Sequence, residues 1–360
     1  MNQYKGKTQI ISGQGSLAAL ESFGARRLLV VTDPYFFENG TAAQVAQKAQ
    51  AQQVEYFSKV KPDPTVDLAA EGTALVRSFQ PDAVVALGGG SAMDCAKAMV
   101  YFSGSDAKFI AIPTTSGSGS EVTDFAILTH NSVKHPLVDP RLCPDAAILD
   151  SDLLQKLPKS LIADGGFDVI SHALEAFVGR GAGMITDALA KEAFTTVYGL
   201  LPASYSGDTS VRQKIHTAAT MAGMAFNGAG LGLCHAMSHA LGGAFHVPHG
   251  RLNAILLPAV ISCNAHAAGE KYQKIATAAG IGGSAQTLAV RNLKNALIRL
   301  RRELNMPDTL AQAGVSPGAV WSNSAALVQS VLADPCCDTN PIRVEDFMVR
   351  RILDEVTGRV

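Results

Sequence analysis

The sequence has 360 residues, of which 47% are hydrophobic and 17% charged, with 30 Lys and Arg against 31 Asp and Glu. This composition excludes intrinsic disorder and is typical of a two-domain protein, while a net charge of −1 without basic runs argues against nucleic-acid or membrane partners. No apolar run approaches the ~20 residues that span a bilayer. Because the start of the chain also lacks signal-peptide features, we expect a cytoplasmic protein.

The first part of the chain alternates strand-like and helix-like segments. Strands are predicted at 26–32, 54–60, 82–87 and 109–112, and helices at 41–52, 70–79 and 92–101. This alternation predicts a parallel sheet covered by helices, a variant of the Rossmann architecture. Later segments are rich in Ala, Leu and Gly, and they predict helices at 168–178, 186–200, 211–226, 272–279 and 287–304. We therefore expect an α/β domain over 1–155 and an all-helical domain over 156–360.

Two glycine-rich loops follow buried strands in the first domain. Gly88, Gly89, Gly90 and Ser91 lie between a strand and a helix, where free N–H groups and the helix dipole favour a phosphate. The second loop, PTTSGSGSEVT at 113–123, offers hydroxyl donors beside two glycines. Two such loops at the ends of neighbouring strands predict a dinucleotide crevice.

Asp33, at the end of the first strand, bears on which dinucleotide binds. Its carboxylate could accept hydrogen bonds from a ribose diol and would repel a 2′-phosphate, which favours NAD over NADP. A turn residue before Pro34 is an equally good interpretation. No G-x-G-x-x-G follows the first strand, so the dinucleotide would lie on a variant architecture.

Histidines crowd one segment of the helical domain. His235, His239, His246 and His249 fall within LGLCHAMSHALGGAFHVPHG, and DGGFDVISHALEAFV places Asp168 and His172 four residues apart on a predicted helix. One carboxylate and several imidazoles suit a divalent first-row metal, and these ligand types leave Fe(II) and Zn(II) both open. Glu175 could orient a ligand, although we favour an ordinary charge on the helix face.

Four motifs in order resemble the iron-containing, group III alcohol dehydrogenases. They are GGGSAMDCAK (88–97), IPTTSGSGSEVT (112–123), DGGFDVISHALEAFV (164–178) and CHAMSHALGGAFHVPHG (234–250), and DPCCDTNPIRVEDF (334–347) is similar to the C-terminal motif of that family. The resemblance covers nearly the whole chain. It implies a dehydroquinate synthase-like fold, with the dinucleotide in the first domain and a metal in a cleft against the second.

The resemblance also assigns site residues. It implies metal ligands at Asp168, His172, His235 and His249, and it places His239 beside the substrate and nicotinamide. Cofactor positions carried over from the motifs are Asp33, Gly89, Gly90, Ser91, Asp94, Thr114, Thr115, Ser118 and Lys134. Asp63, in PDPT, and Ala240 depart from the residues usual in the family.

The implied reaction is hydride transfer between NAD(H) and short-chain primary alcohols or diols and their aldehydes, with Fe(II), or Zn(II), polarising the substrate oxygen. His239 or His246 could relay the proton. The alternative is an NAD- and metal-dependent lyase of the dehydroquinate synthase type, which would need more cations than Arg180 and Arg251 supply. We expect a homodimer or higher homo-oligomer, and the interior of a bacterial microcompartment is a second candidate location.

Overall fold

The computed structural model of the chain describes residues 6–130 and 133–358. It divides into two compact units, Lys5–Leu157 and a second that begins at Pro158. The expected domain boundary, after residue 155, lies two residues before this division.

The first unit is built on a parallel sheet whose strands alternate with helices. The strands of the sheet are β1 (Gln9–Ser12), β2 (Arg27–Thr32), β3 (Gln53–Phe57), β4 (Ala83–Gly88), β5 (Lys108–Pro113) and β8 (Ala146–Leu149). The helices are α1 (Pro34–Glu38), α2 (Thr41–Ala49), α3 (Val66–Phe79) and α4 (Gly90–Ser103), and β6 (Phe125–His130) pairs with β7 (Val133–Val138) as an antiparallel hairpin. The spatial order is β1–β8–β5–β4–β2–β3, which confirms the predicted parallel α/β architecture.

The central strands are buried because their side chains are apolar on both faces. Every residue of β4 is buried, as expected for a strand with helices on both sides of the sheet. Neither β1 nor the hairpin was predicted from the sequence. These segments are short or carry polar residues among the apolar ones, so no clear strand pattern marks them.

The carboxyl ends of three neighbouring strands meet at one edge of the sheet. Thr32 of β2 pairs with Leu87 of β4, and Gly88 of β4 pairs with Pro113 of β5. The segments that follow these strands therefore leave the sheet side by side. This register brings Asp33 and both glycine-rich loops to the same edge.

The second unit is helical. Its helices are α5 (Lys159–Val178), α6 (Met184–Ser206), α7 (Arg212–Ala229), α8 (Leu233–Phe245), α9 (His249–Ala278), α10 (Gln286–Glu303), α11 (Pro317–Ser322), α12 (Ser324–Leu332), α13 (Cys336–Thr339) and α14 (Asp346–Thr357). By length and composition α9 could cross a membrane, but 72% of its most apolar stretch is buried inside the protein, as in a core helix. Only the last turns of α9 were predicted from the sequence, because Pro258 lies inside this helix.

Candidate active site

Three helices of the second unit bring the four predicted metal ligands together. Asp168 and His172 lie one turn apart on α5, His235 lies near the start of α8, and His249 is the first residue of α9. The Nε2 atoms of the three histidines lie 3.7, 3.7 and 3.6 Å from Oδ1 of Asp168. Ligand atoms of Asp168, His235 and His249 all lie within 4.8 Å of one another. This geometry fits the predicted ligand set.

Burial and neighbouring charges shift the pKa values of three predicted ligands in this cluster. Burial alone would raise the pKa of Asp168, but the three imidazoles outweigh burial and hold it well below its ordinary value. Burial would lower the pKa of His235, yet the neighbouring carboxylates of Asp168 and Glu175 raise it to about 9. Burial lowers the pKa of His249, which stays neutral beside its neighbours. One ionised carboxylate and three imidazoles are a ligand set that fits a divalent first-row cation.

The first turn of α9 approaches α5 unusually closely. A Cβ atom on Gly250 would lie 1.9 Å from the backbone oxygen of Asp164, so only glycine fits there. Arg251 forms a bidentate ion pair with Asp164. Its Nε and Nη2 lie 3.3 and 3.0 Å from the two oxygens of the Asp164 carboxylate. The close approach places His249 beside Asp168.

Glu175 holds the start of α8 and the ring of His235. Its buried carboxylate accepts hydrogen bonds from the backbone N–H groups of Gly232 (3.0 Å) and Cys234 (2.6 Å). It also accepts one from Nδ1 of His235 at 2.6 Å, which leaves Nε2 for the cluster. The favoured interpretation of Glu175 as an ordinary charge on a helix face is therefore wrong, because 4% exposure and hydrogen bonds from three residues make it an internal anchor.

Exchanging Glu175 for glutamine should weaken metal binding by about 10- to 100-fold, the usual effect of losing a residue that orients a ligand. The amide removes the negative charge and one of the acceptors that fix His235. Competition with a chromogenic chelator measures the affinity. Glu192→Gln, which makes the same change on the exposed face of α6, is the matched control. Equal metal affinity in the two variants would contradict the anchoring role.

Asn253 is a site residue that the sequence analysis missed. Its Nδ2 donates to Oδ1 of Asp168 at 2.9 Å, and its own Oδ1 accepts from Oγ of Ser238 at 2.5 Å. Asn253 is completely buried, so this chain of hydrogen bonds fixes the Asp168 carboxylate. Its position four residues after His249 on the same helix was a usable signal.

The two histidines predicted as proton relays lie in different surroundings. His239 stacks on His249 with ring centroids 5.2 Å apart, and its Nδ1 lies 2.8 Å from Oδ2 of Asp334. His246 ends α8 as an exposed residue with φ of 55°, and its N–H donates to the carbonyl of Gly242. Within the described residues, His246 makes no hydrogen bond or ring contact with the other histidines. The structure thus brings His239, and not His246, to the cluster.

The two glycine-rich loops of the first unit pack against each other. Gly88 has φ of +152°, and a Cβ atom there would lie 2.6 Å from Cβ of Ala92, so the turn into α4 requires glycine. Cβ positions built on Gly89 and Gly90 lie 3.3 Å from Oγ1 of Thr115 and 3.2 Å from Oγ of Ser118. The first turn of α4, which includes Ser91, has no side-chain cap. Its amides are suited to an anion.

The remaining predicted cofactor residues have specific protein partners. Asp33 caps α1 by accepting from the N–H of Phe36, as the turn interpretation expected, while its Oδ2 lies 3.7 Å from a Cβ position built on Gly88. The backbone N–H of Thr114 donates to the carbonyl of Gly88.

Asp94 and Lys134 are each held by a neighbour. Half-buried Asp94 accepts from Oγ of Ser120 and from the N–H of Ile127, so it braces the second loop. Lys134 lies 2.8 Å from the carboxylate of Asp63, the residue that departs from the family pattern. The cofactor roles of these residues stay predictions.

Family models match both parts of the chain. The model described as "Iron-containing alcohol dehydrogenase" matches residues 7–151, and "Fe-containing alcohol dehydrogenase family, C-terminal" matches residues 162–357. The chain belongs to the iron-containing alcohol dehydrogenase family. It is an alcohol/aldehyde oxidoreductase, which confirms the predicted reaction class.

Relatives of this iron-containing alcohol dehydrogenase act on small alcohols. It is 39% identical to the 1-propanol dehydrogenase PduQ of Salmonella typhimurium, over 99% of this chain and 100% of the relative. It is 34% identical to the NADPH-dependent butanol dehydrogenase of Clostridium saccharobutylicum, over 96% and 95% of the two chains.

Solved structures show the same fold. The iron-containing alcohol dehydrogenase of Thermococcus thioreducens is 32% identical with a TM-score of 0.92, covering 99% of this chain and 100% of that one. The sulfoacetaldehyde reductase of Bifidobacterium kashiwanohense, solved in complex with NAD+, is 26% identical with a TM-score of 0.90 over the full length of both chains.

Proposed function

We propose that this enzyme interconverts short-chain primary alcohols or diols and their aldehydes, using NAD(H) and a divalent metal. The observation that carries the proposal is the convergence of three histidine Nε2 atoms on one oxygen of Asp168. Fe(II) is the metal that we propose, and the same donors would accept Zn(II). Bound there, the metal supplies Lewis-acid polarisation of the substrate oxygen.

The residues around this metal site hold its geometry. Asp168 contributes the one negative charge among the ligands, and Asn253 fixes its carboxylate. Glu175 holds His235 with Nε2 turned toward the cluster. His239, which is half-buried and stacked on His249, is the group that we assign to the substrate proton.

The first unit holds the dinucleotide in this proposal. Its two glycine-rich loops contact each other at Gly88, Gly89 and Gly90. Their backbone amides and hydroxyls would donate hydrogen bonds to a pyrophosphate. Relatives do not agree on the cofactor, since one is NADPH-dependent and another was solved with NAD+. In this chain the carboxylate of Asp33 lies beside the first loop, where it would repel a 2′-phosphate. We therefore propose NAD.

Replacing Asp33 by serine should relax the preference for NAD over NADP. The hydroxyl still caps α1, while the negative charge that repels the 2′-phosphate is removed. The measurement is kcat/KM with each cofactor, and we expect the ratio to shift toward NADP by about 10-fold, equivalent to ~1.4 kcal/mol. Asp152→Ser, at an N-terminal position of another short helix, is the control. An unchanged cofactor ratio would show that Asp33 does not select between NAD and NADP.

Metal analysis of freshly prepared protein, combined with a screen of NADH consumption over short aldehydes, tests the proposed function. We expect about one metal ion per chain. We also expect turnover with propanal, butanal or a hydroxyaldehyde, because a Lewis-acid metal polarises the carbonyl oxygen of each. Net NADH turnover distinguishes the dehydrogenase from the lyase alternative, in which redox is transient. A metal-free protein with full activity would overturn the proposal.

The assembly and location of the enzyme are part of the proposal. We propose a homodimer or higher homo-oligomer, located in the cytoplasm or within a bacterial microcompartment that processes short aldehydes. Light scattering of the purified protein measures the assembly. Fractionation of cells grown with and without a short diol measures the location.

A further inference from the structure

The contact between His239 and Asp334 lies outside the predicted set of metal ligands. The two residues are 95 positions apart in sequence, yet Nδ1 of the imidazole lies 2.8 Å from the carboxylate. His239 belongs to α8, and Asp334 lies in the turn before α13. Neither is one of the four predicted metal ligands.

A second hydrogen bond, independent of His239, holds the carboxylate of Asp334 in place. Its Oδ1 accepts a hydrogen bond from the backbone N–H of Cys336 at 2.9 Å, so Oδ2 alone faces His239. The side chain of Asp334 is only 14% exposed, and that of His239 is 28% exposed. The carboxylate thus lies inside the protein while the imidazole remains accessible from outside.

We propose that Asp334 is a positioning residue that holds His239 as the tautomer with its proton on Nδ1, leaving Nε2 to exchange the substrate proton. A carboxylate can only accept a hydrogen bond, so the Nδ1 that faces it carries the proton. The unprotonated nitrogen is then Nε2. The inference rests on the proposed function, because it assigns a task to a group beside the proposed metal site.

In alcohol oxidation the substrate O–H bond breaks, its electron pair stays on oxygen, and the proton passes to Nε2. The same nitrogen returns the proton when an aldehyde is reduced. The oxidised or reduced nicotinamide, already part of the proposed function, accepts or donates the hydride. Asp334 itself neither gains nor loses a proton, so its contribution is orientation and choice of tautomer.

Asp334→Asn tests the assignment because its size is unchanged. The amide would donate to Nδ1 and so favour the opposite tautomer. We expect kcat to fall by about 10²-fold, within the range that a positioned acid–base group contributes, with KM for the alcohol little changed. Bound metal and the thermal midpoint should equal those of the wild type, which separates this effect from damage to the metal site.

A double-mutant cycle separates positioning from a merely structural role. His239→Ala should lower kcat to a similar extent, and adding Asp334→Asn to it should cause no further loss. Additive losses in kcat would overturn the inference. If the wild type itself holds no metal or shows no NADH turnover, the proposed function is wrong. This outcome is distinct from additive losses in an active, metal-containing enzyme, which contradict only the role of Asp334.

Nitrogen-15 spectra of histidine-labelled, zinc-loaded protein give a readout independent of turnover. Protonated and unprotonated ring nitrogens have different shifts, and the His239 signals are identified by their loss in His239→Ala. We expect a protonated Nδ1 in the wild type and a protonated Nε2 in Asp334→Asn. A protonated Nε2 in the wild type would overturn the proposal.

Discussion

Replacing Asp168 by alanine is expected to remove the bound metal and abolish turnover while the helical unit stays folded. The carboxylate is the common point of the three imidazoles, and it carries the only negative charge among the four predicted ligands. Losing Lewis-acid stabilisation worth several kcal/mol corresponds to a rate decrease of about 10³-fold or more. Elemental analysis, circular dichroism and NADH turnover measure the three quantities.

Asp346→Ala is the matched control for this experiment, since it removes an exposed carboxylate that forms an ion pair with Arg350 on α14. That variant should keep its metal and its activity, because an exposed pair contributes little. If Asp168→Ala retains full activity after exhaustive chelation, the metal role assigned to this cluster is wrong. His249→Ala should reproduce the loss of metal, since it removes a second member of the cluster.

Gly250→Ala should damage both the stability and the metal site. The added Cβ would lie 1.9 Å from the backbone oxygen of Asp164, and a backbone atom cannot turn aside as a side chain can. The first turn of α9 must therefore move away from α5, which carries His249 away from Asp168. We expect unfolding to become easier by about 3 kcal/mol, at the upper end of ordinary overpacking, together with loss of tightly bound metal.

Gly199→Ala is the control for this second experiment. Gly199 lies within α6, and a Cβ atom there would meet nothing within 4 Å. Alanine in a helix interior should stabilise this variant by about 0.5–1 kcal/mol. Urea unfolding and metal analysis compare the two variants. Wild-type stability and metal content in Gly250→Ala would show that the close approach of α9 to α5 is not required.

Features with a local pattern were predicted from the sequence. The parallel sheet follows from alternating strands and helices, and the pairing of Asp168 with His172 follows from their spacing on one helix. The glycine-rich loops were found because strand, glycines and helix follow one another in the chain. The register of the sheet then brings them together.

Features that depend on distant pairing were not predicted. Asn253 meets Asp168 across 85 positions, and His239 meets Asp334 across 95. The hydrogen-bond donors around Glu175 belong to a segment 57–60 residues away. The residues next to Glu175 in sequence therefore do not indicate that these donors surround it. The hydrophobic periodicity of a sequence indicates which face of a helix is buried, but it does not indicate which polar group on the facing helix contacts that face.

The proposed metal ligands and the proposed dinucleotide-binding residues lie in different parts of the chain. Every proposed metal ligand, and each side chain that fixes one, follows residue 158, whereas all the residues proposed as cofactor positions, from Asp33 to Lys134, precede residue 140. The two cofactors therefore draw on separate sets of residues. Removing the metal is therefore expected to abolish turnover while dinucleotide binding, measured by titration of the metal-free protein, is retained.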